Sequence, residues 1–361
     1  MRVLTIAPTL GVGGLERVAV DLANALATRG EEVTFAAADG PLAAELDAGV
    51  QRVTLHPRIG GREPRVVADT VVRVARAIRS VAPHVVHAHN VKMTGIAGAG
   101  LLPAELGRRS PSLVGTFHGV APGEDRAAAL LLRRAAEVAC VSEALARRLE
   151  ARRGHRDRLS VIPNGVAPAV PLDGPARAAL DAELGLDEGR PVVAAVGRLM
   201  AVKAPERFLD AARLVAAEVP ETVFLVIGDG PLRAALERRA AGIDVRFLGQ
   251  RPDARRLIGR ADVLVVSSES EGLSVVTLEA LAAGVPVVST PATGMAELLE
   301  AGAGIVAERP DARLLAEAIV SLLGDASARA AHGAAGRALV ERRHGLTQMA
   351  DAYQGLFERV R

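Results

Sequence analysis

Residues 262–290 read DVLVVSSESEGLSVVTLEALAAGVPVVST. An apolar, β-branched run gives way to Ser, Glu and Gly, then to an apolar helix-like run, then to a second β-branched run behind Gly-Val-Pro. Strand, loop, helix, strand is the repeating unit of a parallel sheet, whose neighbours need a crossover connection. Glu271 stands in the loop and Glu279 eight residues on, inside the helix-like run. On one unbroken helix that spacing would leave the two side chains about 80° apart and about 12 Å along the axis. Gly272-Leu273-Ser274 instead marks a loop entering a helix that starts near Ser274. The amino end of such a helix presents backbone N–H groups that suit an anion.

The same alternation runs outward in both directions. Strands are expected at 2–8, 32–38, 52–57, 84–90, 112–119, 137–142 and 159–165, with helices at 15–30, 65–81, 94–106, 125–136 and 143–153. A Pro/Gly-rich passage, 163–190, reads as an interdomain linker with a short helix embedded in it. The pattern then restarts, with strands at 191–199, 222–230, 245–250, 262–268 and 286–291, and closes on three helical stretches, the last being 346–361. Near-continuous apolar strands separated by helices imply parallel sheets covered on both faces. The fold class is therefore α/β, two doubly wound Rossmann-like domains in tandem: 1–168, a linker at 169–190, and 191–343, followed by a last helix in 344–361. Ligands of such sheets sit beyond the carboxyl ends of the strands, and the expected site is a cleft between the domains.

Composition narrows the function. Of 361 residues, 50% are hydrophobic and 24% charged, as in an ordinary globular chain. The one cysteine, Cys140 in EVACVSEA, reads as a buried strand residue; no disulfide framework is possible within the chain, which fits a reducing cytoplasm. The start, MRVLTIAPTLGVGGLER, lacks the long apolar core of a signal peptide, and no uncharged apolar run is long enough to span a membrane. The net charge of +2 divides unevenly: residues 1–165 hold 22 Arg/Lys against 16 Asp/Glu, and the remainder 22 against 26. Aromatic residues are 2% of the chain, too few for stacking on single-stranded nucleic acid, which is set aside as a partner.

Three more motifs lie at strand ends. In VGRLMAVKAPERFLDA, Arg198 and Lys203 stand five apart between a strand and a helix, and two fixed cations can neutralise a leaving diphosphate. In TLGVGGLER, Gly11, Gly13 and Gly14 follow the first strand and let a ligand approach the backbone, although Glu16 breaks the dinucleotide fingerprint. In TFHGVAPGE, His118 ends a strand, where it can orient a sugar or handle a proton. His87 and His89 share one face of a strand without an evident third ligand, so no zinc site is assigned. No Asp-x-Asp pair is present to hold a divalent cation, and the scheme is metal-free.

Taken together, GGLERVAVDLANAL, PHVVHAHN, TFHG, VACVSEALARRL, VIPNGV, VGRLMAVK, GDGPLRAAL, VRFLGQ and the Glu271–Glu279 segment resemble glycosyltransferase family 4, the retaining sugar transferases of GT-B fold. The resemblance implies that Glu279 binds the ribose of a nucleoside-diphosphate sugar, Glu271 contacts the donor sugar, and Arg198 and Lys203 hold the diphosphate. It implies a phosphate cradle of Gly272, Leu273 and Ser274 with Gly13 and Gly14 from the opposite domain. His118 would lie beside the donor sugar, with the base near Gln250 and Arg251. His118, Glu271, Arg198 and Lys203 are thus the expected catalytic set. The family's last helix crosses back onto the first domain, a role open to 346–361. No cofactor and no metal are implied; the sugar nucleotide is a substrate, UDP-linked by family frequency, GDP-linked as the alternative. The other partner is a hydroxyl-bearing acceptor: a glycan, a lipid-linked sugar or a small metabolite. Pro83-His84 and Leu273 depart from the family's usual Pro-Asp and aromatic residue. A GT-B epimerase or phosphorylase and a non-catalytic sugar-nucleotide binder stay open. So do two readings of Arg65, Arg73, Arg76 and Arg79, as a peripheral membrane contact on the cytoplasmic face or as the wet side of a sheet-covering helix.

Overall fold

A computed structural model describes residues 1–56, 63–102, 110–120, 123–153, 158–170, 172–299 and 302–361. Internal contacts divide the chain into two units, Met1–Gly165 with Leu346–Arg361, and Val166–Gly345.

The first unit is built on β1 (Arg2–Thr9), β2 (Glu32–Ala38), β3 (Gln51–Thr54), β4 (Val85–Ala88), β5 (Ser112–Phe117), β6 (Glu137–Cys140) and β7 (Leu159–Val161). They form one sheet in the order β3-β2-β1-β4-β5-β6-β7, every pair parallel. Its helices are α1 (Gly14–Thr28), α2 (Pro64–Val81), α3 (Val91–Leu101), α4 (Asp125–Leu132) and α5 (Glu143–Arg153). Val3, Leu4, Ile6, Val85 and Val86 are fully enclosed, as strands covered on both faces require. Pro57 and residues 103–106, at the ends of two expected elements, lie outside the described residues.

The second unit carries α6 (Gly174–Leu184), β8 (Val192–Val196), α7 (Pro205–Glu218), β9 (Val223–Ile227), α8 (Arg233–Arg239), β10 (Val245–Gly249) and α9 (Ala254–Arg260). It continues with β11 (Val263–Val266), α10 (Val275–Ala283), β12 (Val287–Ser289), α11 (Met295–Leu299), β13 (Gly304–Val306), α12 (Ala312–Gly324) and α13 (Ala326–Arg343). Its six strands run β10-β9-β8-β11-β12-β13, again all parallel. Phe208, Phe224, Val263 and Ile319 lie in its core. Neither α11 nor β13 was expected from the sequence; β13, three residues opening on a glycine, carries too short a pattern to read.

The stretch 169–190, expected as a linker, contributes α6 to this second unit. Asp173 caps α6, Gly185 closes it in the left-handed region at φ 61°, and Leu180 and Leu184 are buried. Asp181 of α6 also pairs with Arg260, a fully enclosed side chain. Pro171 lies outside the described residues. The last helix, α14 (Leu346–Val360), belongs to the first unit, where it buries Tyr353, Leu356 and Phe357 and meets α1. Arg29 at the end of α1 pairs with Asp351 at 2.8 Å.

Each sheet reverses its winding once, between β1 and β4 in the first and between β8 and β11 in the second. Strand order that reverses leaves a crevice at the carboxyl edge, because the two adjoining loops diverge to opposite faces. The loops after β8 and β11 carry Arg198, Lys203 and Glu271.

Candidate active site

The loop after β8 begins at Gly197, runs through Arg198 and Leu199, and tightens into a 3-10 turn over Ala201–Lys203. Ala204 then takes φ 43° and ψ 52°, a left-handed conformation that costs an alanine about 1–2 kcal/mol, before Pro205 opens α7. The loop after β11 is tied to it. Glu269 N–H donates to the Val202 carbonyl at 2.9 Å and Ser267 Oγ to the Lys203 carbonyl at 3.0 Å. From α7, Arg207 donates to the Ser267 carbonyl at 2.6 Å.

These ties bring Lys203 onto Glu271. Lys203 Nζ donates to both carboxylate oxygens, at 2.7 and 2.9 Å, and Ser268 Oγ donates to Oε1 at 2.6 Å. The Glu271 side chain is 9% exposed and that of Lys203 35%, so the pair opens to solvent on the lysine side. Arg198 is exposed and has no side-chain partner among the described residues. The turn Gly228-Asp229-Gly230 packs directly on this loop: Leu199 N–H reaches the Asp229 carbonyl at 3.0 Å, and Gly228 holds φ 133°.

Behind Glu271, Ser274 caps α10, its hydroxyl accepting from Thr277 N–H. The N–H groups of Val275 and Val276 have no preceding helical carbonyl to bond, which leaves the anion-attracting end of the helix at Gly272-Leu273-Ser274. Gly294, at φ 81°, packs so closely on the Gly272 carbonyl that a β-carbon would come within 2.6 Å of it. Along α10, Glu279 is 10% exposed and accepts from Arg255 Nε at 2.7 Å. Gln250 and Arg251 follow β10, two strands from β8. The Arg251 guanidinium is spent on Asp253 and Glu183, whose carboxylates raise its pKa above the usual arginine range.

In the first unit, Gly13 caps α1 with extended backbone and Gly14 opens the helix, exposed to solvent. His118 follows β5; it is half-buried, with Nε2 enclosed and unpaired. Its ring stacks on His89 with centroids 6.2 Å apart, and His89 lies 4.2 Å from His87. His87 Nε2 bonds Thr116 Oγ1 at 2.8 Å, which in turn meets the Tyr353 hydroxyl of α14 at 2.9 Å. Burial lowers the pKa of His118 to about 4 and of His87 to about 3, and that of His89 falls well below its ordinary value. All three rings are neutral at pH 7. Sequence reasoning missed the gathering of His118 with the His87/His89 pair; none of the three forms part of a metal-holding group, and no such group occurs among the described residues. It also missed Ser268 and Arg255, whose roles follow from packing and leave no local pattern.

Two parallel, doubly wound sheets, one in each unit and each with a single switch point, are those of the GT-B fold. Residues 12–170 match the family described as Glycosyltransferase Family 4, and residues 190–325 match Glycosyl transferases group 1. The chain belongs to this family of GT-B glycosyltransferases. A GDP-mannose-dependent monoacylated alpha-(1-6)-phosphatidylinositol monomannoside mannosyltransferase of Corynebacterium glutamicum is 33% identical over 217 residues, 56% of either chain. A D-inositol 3-phosphate glycosyltransferase of Nocardia farcinica is 34% identical over 47% of this chain and 41% of its own. The chain spans about half the length of the curated relatives it matches. Among solved structures, Anabaena HepE in complex with UDP-glucose superposes with a TM-score of 0.84 at 21% identity, covering 99% of this chain and all of that one. WaaG, a glycosyltransferase involved in lipopolysaccharide biosynthesis, superposes at 0.78 and 19% identity over 97% and 98%. At those identities the likeness is one of fold. No helix among the described residues is long and apolar enough to cross a membrane.

Proposed function

We propose that the protein transfers a hexosyl or N-acetylhexosaminyl group, with retention of configuration, from a nucleoside-diphosphate sugar to a hydroxyl acceptor, without a metal. The observation that carries this reading is the Lys203–Glu271 pair beside the amino end of α10: a cation, a carboxylate and an open helix end at a single sheet edge. The diphosphate lies on Gly272, Leu273 and Ser274, countered by Lys203 and Arg198. Glu279 takes the ribose hydroxyls. Donor binding draws Lys203 from the carboxylate to the phosphate and frees Glu271 for sugar hydroxyls.

In the transfer, the bond from the anomeric carbon to the phosphate oxygen breaks as the acceptor oxygen bonds that carbon on the same face. The acceptor's proton passes to the departing phosphate oxygen, so no residue becomes a covalent intermediate. Lys203, Arg198 and the helix end stabilise the charge that builds on the diphosphate. His118, neutral at pH 7, hydrogen-bonds the sugar as charge develops in the transition state, so it acts on turnover more than on donor binding. The names of the curated relatives support a GDP-linked donor beside the UDP-linked one that family frequency favours, and a lipid-linked or inositol-type acceptor.

A thermal-shift panel of UDP, GDP and their sugars, with and without a chelator, tests this. A sugar nucleotide at a hundred times its Kd should stabilise the protein by about 2.7 kcal/mol. A shift seen only with a divalent metal, or no shift with any diphosphate, rejects the reading.

A further inference from the structure

We propose that Arg255 is a positioning residue for the donor's ribose: it fixes the Glu279 carboxylate in the orientation that receives the 2′ and 3′ hydroxyls, and so contributes to choosing ribonucleotides over deoxyribonucleotides. The inference rests on the ribose role proposed above for Glu279. Arg255 is the second residue of α9, in the helix's first turn. A cation there faces the positive end of the helix dipole and gains nothing from the helix itself. Arg251 and Arg256, its neighbours in sequence, turn to Glu183 and Asp253. Arg255 instead reaches across to α10 and meets Glu279 at 2.7 Å, a charge-assisted bond to a carboxylate that is only 10% exposed.

A free glutamate rotates broadly about its last torsion, and a ribose that binds it must first stop that motion. A carboxylate already held by a guanidinium has lost that freedom before the ligand arrives, so more of the hydroxyl bonding appears as affinity. The Gln250-Arg251 loop, proposed to meet the base, also leads straight into α9.

Calorimetry on the full chain tests it, using UDP, GDP and the 2′,3′-dideoxy form of whichever binds more tightly. Wild type should prefer the ribonucleotide by about tenfold, the scale of hydrogen bonds to a charged group. In Arg255→Gln the preference should shrink to about twofold through weaker ribonucleotide binding alone, with dideoxynucleotide affinity unchanged. Arg255→Lys should fall between the two, and it carries the test alone if the glutamine variant does not fold. A structural pair would behave differently: both nucleotides would weaken in parallel, or the unfolding temperature would drop with the preference intact, and either result overturns the proposal. Glu279→Ala separates the two readings. If it abolishes the preference while Arg255→Gln and Arg255→Lys keep it, the ribose role stands and Arg255 has none. If Glu279→Ala keeps the preference, or if neither diphosphate binds, the ribose role fails and the role of Arg255 with it.

Discussion

Lys203 and Glu271, 68 positions apart in the chain, are joined by two hydrogen bonds of 2.7 and 2.9 Å. One comes from the loop after β8 and the other from the loop after β11, the two strands that flank the switch point of their sheet. Removing the lysine leaves a largely buried carboxylate with Ser268 as its remaining donor in this pair of loops. Lys203→Met is therefore expected to destabilise the protein by about 1–2 kcal/mol, the lower half of the usual range because the lysine is a third exposed. The double variant Lys203→Met/Glu271→Gln should recover most of that loss. Urea unfolding of both variants checks it; additive losses would mean that the two residues do not interact in solution.

His118→Ala removes a hydrogen bond made in the transition state and is expected to lower turnover by on the order of a hundredfold while leaving donor affinity within about twofold of wild type. Steady-state rates together with calorimetric titration of the donor nucleotide separate the two quantities. Affinity that fell in step with turnover would make His118 a binding residue and remove it from the chemical step.

Gly228 gives a prediction about the scaffold beneath Arg198. It holds φ 133°, and a β-carbon there would lie 2.0 Å from the Gly197 carbonyl oxygen, a backbone atom with no rotamer to yield. Gly228→Ala should cost about 2–3 kcal/mol or more and shift the loop that carries Arg198. Gly189→Ala is the control: its φ is 81°, but nothing lies within 4 Å of the added carbon. That variant should lose only about 1 kcal/mol, the conformational cost alone. Equal losses at the two positions would show that the close approach to Gly197 is not what glycine serves at 228.

How much of this was legible in the sequence follows from the range over which each feature is encoded. The alternation of β-branched and amphipathic runs is local, and it yielded both parallel sheets. Arg198, Lys203 and Glu271 were legible as residue types at strand ends, and Glu279 as one inside the helix that follows. Their pairings were not, because Lys203 with Glu271 and Arg255 with Glu279 are made by packing between segments 68 and 24 residues apart. The short helix embedded in 169–190 was legible because Asp173, Pro175 and Gly185 punctuate α6 at its ends; its pairing of Asp181 with Arg260 was not, because that contact spans 79 residues. Strand β13, three residues long, has no period to detect.

Acid stability draws on the histidine cluster. Burial lowers the pKa of His118 to about 4 and of His87 to about 3, with His89 also well below its ordinary value. In the unfolded chain all three would titrate near 6.5. Between pH 4 and 6.5 the unfolded chain therefore binds more protons than the folded one, and stability rises with pH. The contribution is complete above about pH 7 and is lost as the pH falls through the unfolded value. Each histidine adds a slope of up to about 1.4 kcal/mol per pH unit in that window. Asp253 and Asp311, lowered mainly by the Arg251 side chain and by backbone N–H groups respectively, lose their contribution only below the ordinary carboxylate range. The interval from pH 7 to 5 thus isolates the histidines. Urea midpoints should fall steadily across it, and less steeply in His89→Asn, which removes one buried imidazole. A wild-type profile flat from pH 7 to 5 would show that these rings reach water, and that His118 is not held neutral by its surroundings.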